Sequence, residues 1–341
     1  MSYLSADGPG GIDARRARLK EDARIGLCAP VKSIPSAWFY DDRGSGLFDE
    51  ITRLSEYYPT RTERAILECK AEDIVMVSGA DTLVELGSGT SEKTRVLLDA
   101  MAAANVLERV VLFDIAEDVL RRAARDLHSL YDVEVEAVVG DLRADLDSLG
   151  GDGNRLWAFL GSTIGNFTRE ERGRMLVRFA RAMSDGDSLL IGVDLIKDTA
   201  RLIAAYDDSE GVTAEFNLNI LNVLNKEMGG DFDVSKFSHR ASWNESESRI
   251  EMRLRSLDAQ VVSLPEVGLQ VSLKGGEEIL TEISTKFTAD GFADELCDAG
   301  FDVAQRWFDE AHDFVVLLAR PRGERHGTSG MRPADVPFAV H

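Results

Sequence analysis

The sequence predicts an α/β fold: a Rossmann-like, largely parallel sheet with helices on both faces, carrying an inserted α+β domain. Three observations predict it. Short apolar runs alternate with amphipathic helical segments from Asp81 onward, a glycine-rich turn follows the first run directly, and a stretch from about Asp198 to Thr285 is far too long for a normal strand-to-helix connection.

The elements follow in order. The opening to about Gly11 and the tail from Pro321 to His341 are polar and rich in Gly and Pro without hydrophobic periodicity, so both ends are expected to fray. The segment before about Arg61 shows no sheet partner of its own and is expected to pack on the inserted domain. Thr82 to Leu86 reads as a buried strand, followed by a helix from about Glu92 through Met101 with Val96, Leu97 and Met101 on one face. Val110 to Phe113 is a second strand. A helix then places Leu120, Ala123, Ala124, Leu127 and Leu130 at helical spacing, and Val133 to Val139 is a third strand. Leu156 to Leu160 and Ser188 to Val193 continue the parallel sheet, and Val303 to Phe308 with Phe314 to Ala319 are expected to close it as a hairpin. Within the insertion, Thr213 to Glu227 predicts a helix. Phe237 to Trp243, Arg249 to Leu257 and Glu266 to Leu273 predict an antiparallel sheet. The expected division is residues 61–197 plus 286–320 as the sheet domain, 12–60 plus 198–285 as the second domain, and 321–341 as a flexible tail. A cleft between the domains is the expected site.

Composition narrows the functional classes. Sixty acidic residues against 39 basic ones give a formal charge of -21, a field that repels phosphate backbones and anionic bilayers. Nucleic acid and membrane are therefore not expected partners. The three cysteines, Cys28, Cys69 and Cys297, are widely spaced, and no two of the five histidines have ligand spacing, so neither a disulfide framework nor a metal site is expected. With no apolar run of signal-peptide or membrane-spanning length, the expectation is a cytoplasmic monomer acting on a small molecule.

Val84-Glu85-Leu86-Gly87-Ser88-Gly89-Thr90-Ser91 sits where the first strand turns into the first helix, where missing side chains let backbone approach a ligand. A dinucleotide fingerprint needs a third glycine where Glu92 stands. A P-loop fits Gly87, Lys93 and Thr94 but meets the same carboxylate, which opposes phosphate. S-adenosylmethionine carries no phosphate and a positive sulfonium, so an acidic loop with Glu85 nearby suits it. Asp114, ending the second strand, is placed to accept from ribose hydroxyls. Asp141, after the third strand, is placed to accept from an adenine amine. Either alone is more simply a cap or turn former; Gly87, Gly89, Asp114 and Asp141 together, at successive strand ends on one sheet edge, point to the cofactor.

After the fourth strand, Gly161-Ser162-Thr163-Ile164-Gly165-Asn166 forms a second glycine-rich loop on the same edge. The Asn166 carboxamide both donates and accepts, which suits an amino acid's amine and carboxylate, although a plain turn explains it equally. This loop, with Trp38-Phe39-Tyr40-Asp41, Leu47-Phe48, Tyr57-Tyr58-Pro59-Thr60-Arg61-Thr62-Glu63 and Glu85 through Thr94, resembles the L-histidine Nα-methyltransferases of ergothioneine biosynthesis. The likeness runs from about Lys32 to Arg320 and includes Lys197-Asp198, Tyr206-Asp207-Asp208, Arg249-Ile250-Glu251-Met252 and Leu280-Thr281-Glu282-Ile283-Ser284.

The resemblance implies a class I methyltransferase sheet with S-adenosylmethionine at Gly87, Gly89, Lys93, Asp114, Asp141 and Leu142. It implies histidine with its carboxylate at Asn166 and Tyr206, its amine facing Gly161, Asn166 and Tyr57 with Tyr40 nearby, and its imidazole between Glu282 and Ser284 beside Met252. Tyr40 or Tyr57 is the expected proton relay, with three successive transfers giving hercynine. One departure stands out: the family often has Phe after the adenine-binding Asp, where this chain has Leu142. The competing expectations are a relative acting on another amino acid, such as tryptophan, and a cofactor-binding module without turnover.

Overall fold

The computed structural model describes residues 2–5, 11–87, 93–115, 117–142, 145–149 and 153–323. Its main sheet has eight strands in the order β1 (Ser2–Ser5), β5 (Glu134–Val139), β4 (Arg109–Asp114), β3 (Thr82–Leu86), β6 (Arg155–Phe159), β7 (Ser188–Asp194), β14 (Phe314–Pro321) and β13 (Phe301–Phe308). Neighbours from β1 to β7 pair in parallel, and β14 runs antiparallel between β7 and β13. Every residue of β3, β6 and β7 is buried, as expected of parallel strands covered on both faces. One face carries a core around Trp157, Phe159, Phe179 and Phe292, the other a core around Leu67, Leu97, Leu127 and Phe314.

The covering helices are α3 (Tyr58–Ser78), α4 (Thr94–Ala103), α5 (Glu117–Leu130), α6 (Arg169–Ala182) and α9 (Ala289–Asp298). Their termini have local causes. The α6 helix starts on a reciprocal capping box between Thr168 and Glu171, and α3 stops at Gly79, whose φ of 63° admits the left-handed cap.

The insertion and the N-terminal segment share a third core, joining Leu19, Trp38, Phe39 and Tyr58 to Phe216, Leu224, Met252 and Ile279. The N-terminal part is α1 (Gly11–Cys28), β2 (Lys32–Ser33) and α2 (Asp42–Ile51). The insertion contributes α7 (Thr199–Ala204), α8 (Val212–Met228), β8 (Phe237–Asn244), β9 (Arg249–Ser256), β10 (Gln260–Leu264), β11 (Leu269–Leu273) and β12 (Glu278–Thr285). The Asp208 carboxylate caps α8 by accepting from the amides of Val212 at 3.0 Å and Thr213 at 2.7 Å. On this separation of cores we propose the division at 12–60 plus 198–285 against 61–197 plus 286–320.

Three expectations needed correction. Ser2–Ser5 does not fray but adds a parallel edge strand on β5. The segment before Arg61 also has a second sheet partner, since β2 pairs in parallel with β12. The insertion's sheet has the order β2-β12-β9-β8, so its third long strand is Glu278–Thr285 rather than Glu266–Leu273. Leu269–Leu273 instead forms a separate hairpin with β10, and Glu266 lies in the 3-10 turn between them. Period-2 alternation marks a half-buried strand without naming its partner, so β11 was legible and its sheet was not.

Along the main sheet the chain order reverses at β3, which has β4 on one side and β6 on the other. In open α/β sheets, ligands bind outside the carboxyl ends of the strands at such a switch point. Among the described residues, no helix is long and apolar enough to cross a membrane.

Candidate active site

A cavity of about 570 Å³ opens at that switch point, walled by the strand ends of the sheet, by the N-terminal segment and by β9 and β12 of the insertion. Gly87, Lys93, Asp114, Asp141 and Leu142 line it, as do Tyr40, Tyr57, Gly161, Asn166, Tyr206, Met252, Glu282 and Ser284. Gly89, like Glu92, lies outside the described residues. Every other residue expected to bind cofactor or substrate therefore faces one shared space.

At the strand ends of the sheet, Gly87 follows β3 with φ at 71° and donates its amide to the Phe113 carbonyl at 2.8 Å, tying the turn to β4. Glu85, on β3, accepts a hydrogen bond from the Thr94 hydroxyl at the start of α4, so this acid is held beneath the turn. Asp114 ends β4, and Asp141 follows β5 in a loop closed by its own amide donating to the Asp145 carboxylate at 2.7 Å. At Gly140 an added Cβ would lie 2.7 Å from the Phe113 ring, so a side chain there would displace the wall between the two acids. The expected carboxylates thus sit at successive strand ends on one edge, with Phe113 and Leu142 supplying apolar cover.

A second part of the cavity wall is built where two elements meet. The loop after β6 enters through Gly161 at φ 80° and Ser162 at φ 56°, then winds a 3-10 turn over Thr163–Asn166. At Gly165 a Cβ would stand 2.7 Å from the Thr285 carbonyl, so only glycine lets this loop lie against the end of β12. Strand β12 shifts register between Leu280 and Glu282, a bulge of the kind that re-aims side chains beside active sites. Glu282 pairs across the ladder with Met252, and both line the cavity.

Burial sets the ionisation here. Although its carboxylate keeps partial exposure to the cavity, the surrounding protein pushes Glu282 up to about 7, with the Lys286 ammonium opposing the rise. Burial also raises the phenols of Tyr40, Tyr57 and Tyr206 well above their ordinary range. The Glu282 carboxylate adds to all three, and Asp114 acts on Tyr40 as well. These phenols are therefore neutral at physiological pH. The expected relay by Tyr40 or Tyr57 is open to them as hydrogen-bonding hydroxyls, not as phenolate bases.

Aromatic rings that line the cavity pack against one another. Tyr40 meets Phe48 at 5.6 Å and Phe216 at 5.7 Å, and Tyr57 meets Phe48 and Tyr206, each at 6.1 Å between centroids.

Two buried ionic groups beneath the cavity escaped the sequence reading. Glu63, on α3 and fully buried, is paired with Lys93 and accepts from the Gly161 amide at 2.8 and 2.9 Å, joining the start of α4 to the loop after β6. Asp194, ending β7, accepts from the Tyr58 hydroxyl at 2.8 Å and is paired with Lys197 and Lys286. Glu63, Tyr58 and Lys197 all stood inside the strings that carried the family likeness, but only the fold places them together. Among the described residues no group of three His, Cys, Asp or Glu side chains is arranged to hold a metal.

Comparison with known proteins finds similar chains. The chain is 50% identical over 319 residues to the histidine N-alpha-methyltransferase of Mycolicibacterium smegmatis, covering 93% of this chain and 98% of that protein. It is 49% identical over 310 residues to the protein of the same name in Mycobacterium tuberculosis, covering 91% and 97%. It is also 34% identical over 230 residues to ergothioneine biosynthesis protein 1 of Neurospora crassa, covering 64% of this chain and 26% of that one. The model of the histidine-specific, S-adenosylmethionine-dependent methyltransferases matches residues 19–321, and the chain belongs to that family.

Proposed function

We propose that this enzyme transfers methyl groups from S-adenosylmethionine to the α-amine of free L-histidine, three times in succession, giving hercynine, the first step of ergothioneine biosynthesis. The single observation that carries the reading is one cavity lined by Asp114 and Asp141, from the carboxyl ends of β4 and β5, by Glu282 and Ser284 of β12, and by Asn166 of the loop after β6. In this reading Asp114 accepts from the ribose, Asp141 from the adenine amine, and Leu142 covers the base. Lys93 is held by Glu63 at the turn where the methionine half lies. The substrate's carboxylate meets Asn166 and Tyr206, its amine faces Gly161 and Tyr57, and its ring lies between Glu282 and Ser284 beside Met252.

Each transfer forms an N–C bond as the C–S bond breaks in line, releasing S-adenosylhomocysteine. The protein's work is alignment and exclusion of water. The amine must shed one proton before each transfer. Since an α-amino group titrates near 8 in model peptides, a modest neutral fraction is present without a strong base. The growing cation is accommodated by the faces of Tyr40, Phe48, Tyr57 and Phe216. The proposed enzyme is a cytoplasmic monomer, and the exposed, free Cys28 and Cys69 suit a reducing compartment.

Incubation with S-adenosylmethionine and a panel of amino acids, read by mass spectrometry, tests it. The expected product is trimethylated histidine. A product that stops at one methyl would contradict the triple transfer, and preferential methylation of tryptophan would overturn the substrate.

A further inference from the structure

Lys286 is the unusual residue of this site. It follows β12, is completely buried beneath the cavity, and no sequence pattern marks it as functional. Its Nζ lies 2.8 Å from the Tyr206 hydroxyl, 2.9 Å from the Ser284 hydroxyl and 2.9 Å from Asp194 Oδ2. An ammonium has three hydrogens and no lone pair, so these three partners use its whole hydrogen-bonding capacity. Both hydroxyl oxygens accept from Lys286. They also lie 2.8 Å apart, so one hydroxyl donates to the other. Of the two hydroxyl protons, one remains without an acceptor among the described residues, on side chains that both line the cavity.

The charges around the pair do not cancel. Asp194 is paired with both Lys286 and Lys197, leaving one net positive charge among the three. The neighbouring acids are matched elsewhere, Asp313 by Arg201 and Glu63 by Lys93. Among the described residues the other acid whose field reaches Tyr206 is Glu282, and burial disfavours its ionisation below about pH 7. A chain with a formal charge of -21 therefore keeps a buried cation directly behind two hydroxyls of its pocket. Burying a charge is costly unless something compensates it, and the cavity side is the open direction.

We propose that Lys286 is a positioning residue that makes the pocket selective for an amino acid with a free carboxylate: it forces Tyr206 and Ser284 to present a donor, and the surplus charge of Lys286, Lys197 and Asp194 attracts the anion. The inference rests on the proposed amino-acid site and adds what selects the carboxylate end. When Tyr206 donates a hydrogen bond to the substrate carboxylate, Ser284 in turn donates to the Tyr206 oxygen. Ser284 then keeps a lone pair for a ring N–H of the substrate. Carboxylate and side-chain recognition are coupled through the one ammonium.

The test compares L-histidine with L-histidinamide, which has the same shape without the negative charge, in the wild type and in Lys286→Met. The expected result is a roughly ten- to hundredfold loss of kcat/KM for histidine, carried by KM, the range set by losing a charge-assisted contact. Histidinamide turnover should change little, so discrimination between the two collapses, while calorimetric affinity for S-adenosylhomocysteine stays within about twofold of wild type. A folded Lys286→Met enzyme that keeps the wild-type preference for histidine over its amide overturns the proposal. Should that variant fail to fold, Lys197→Met leaves the three Lys286 contacts intact and removes the surplus charge. A severalfold shrinkage of the acid-over-amide ratio is then expected, and an unchanged ratio overturns the idea. If the wild type ignores histidine, the functional reading fails by itself, and whichever amino acid is turned over is compared with its own amide to decide the role of Lys286.

Discussion

Replacing Glu282 by Gln separates the cost of the empty pocket from the benefit of the filled one. Burial lifts the Glu282 carboxyl from 4.5 to about 7 in the empty protein. A displacement of that size opposes ionisation by about 3 kcal/mol, a ceiling because the group keeps contact with cavity water. Since the folded-state value is raised, the penalty is absent below about pH 4.5, grows between pH 4.5 and 7, and is complete above about 7. Glu282→Gln removes it. The substrate-free variant is therefore expected to gain stability over wild type as pH rises from 5 to 8, by up to about 3 kcal/mol in urea titrations. Function is expected to move the other way. A charge-assisted bond to the imidazole contributes roughly 1.5 to 3 kcal/mol, so kcat/KM for histidine should fall about ten- to a hundredfold, with affinity for S-adenosylhomocysteine unchanged. Steady-state rates of S-adenosylhomocysteine release measure this. A variant with wild-type kcat/KM for histidine would refute the assignment of Glu282 to the ring, and one with no stability gain at pH 8 would refute the desolvated carboxylate.

Other outcomes follow from the same geometry. Asn166→Ala should raise KM for histidine at least roughly tenfold by losing a carboxamide that both donates and accepts, while S-adenosylhomocysteine binding measured by calorimetry stays near wild type. Asp114→Asn should do the reverse, weakening S-adenosylhomocysteine by about tenfold or more in the same titration. Gly161→Ala forces a side chain into φ 80° and to 3.4 Å from Lys93 Nζ, so a loss of roughly 1 kcal/mol or more in urea unfolding is expected together with slower turnover. Dialysis against a chelator should leave turnover unchanged in the same rate assay, because methyl displacement at a sulfonium needs no Lewis acid.

How much of this was legible beforehand depended on whether the signal was local. Strands β3 to β7 announce themselves as short apolar runs, and the helices between them by 3.6-residue spacing, so the sheet is legible in the sequence. Asp114 and Asp141 were legible for the same reason, since a carboxylate at a strand end is a position along the chain. Leu142 lines the cavity together with Phe113. Glu63, Asp194 and Lys286 were not legible as a set. Their importance comes from meeting across 80 or more residues of sequence, in contacts such as Lys286 to Tyr206 that only the packing of β12 against the sheet creates. The strand at Glu278–Thr285 was missed as a strand although Glu282 and Ser284 were singled out, because its bulge breaks the alternation that marks a strand. The edge strand at Ser2–Ser5 was hidden by its shortness, too few residues for any periodicity to show.

The most direct test is a crystal structure of the enzyme with S-adenosylhomocysteine and L-histidine together. The expected result has the ribose on Asp114, the imidazole against Glu282 and Ser284, and the amine directed at the sulfur. Histidine bound with its ring away from Glu282, or the nucleoside lying off the Gly87 turn, would contradict the site described above.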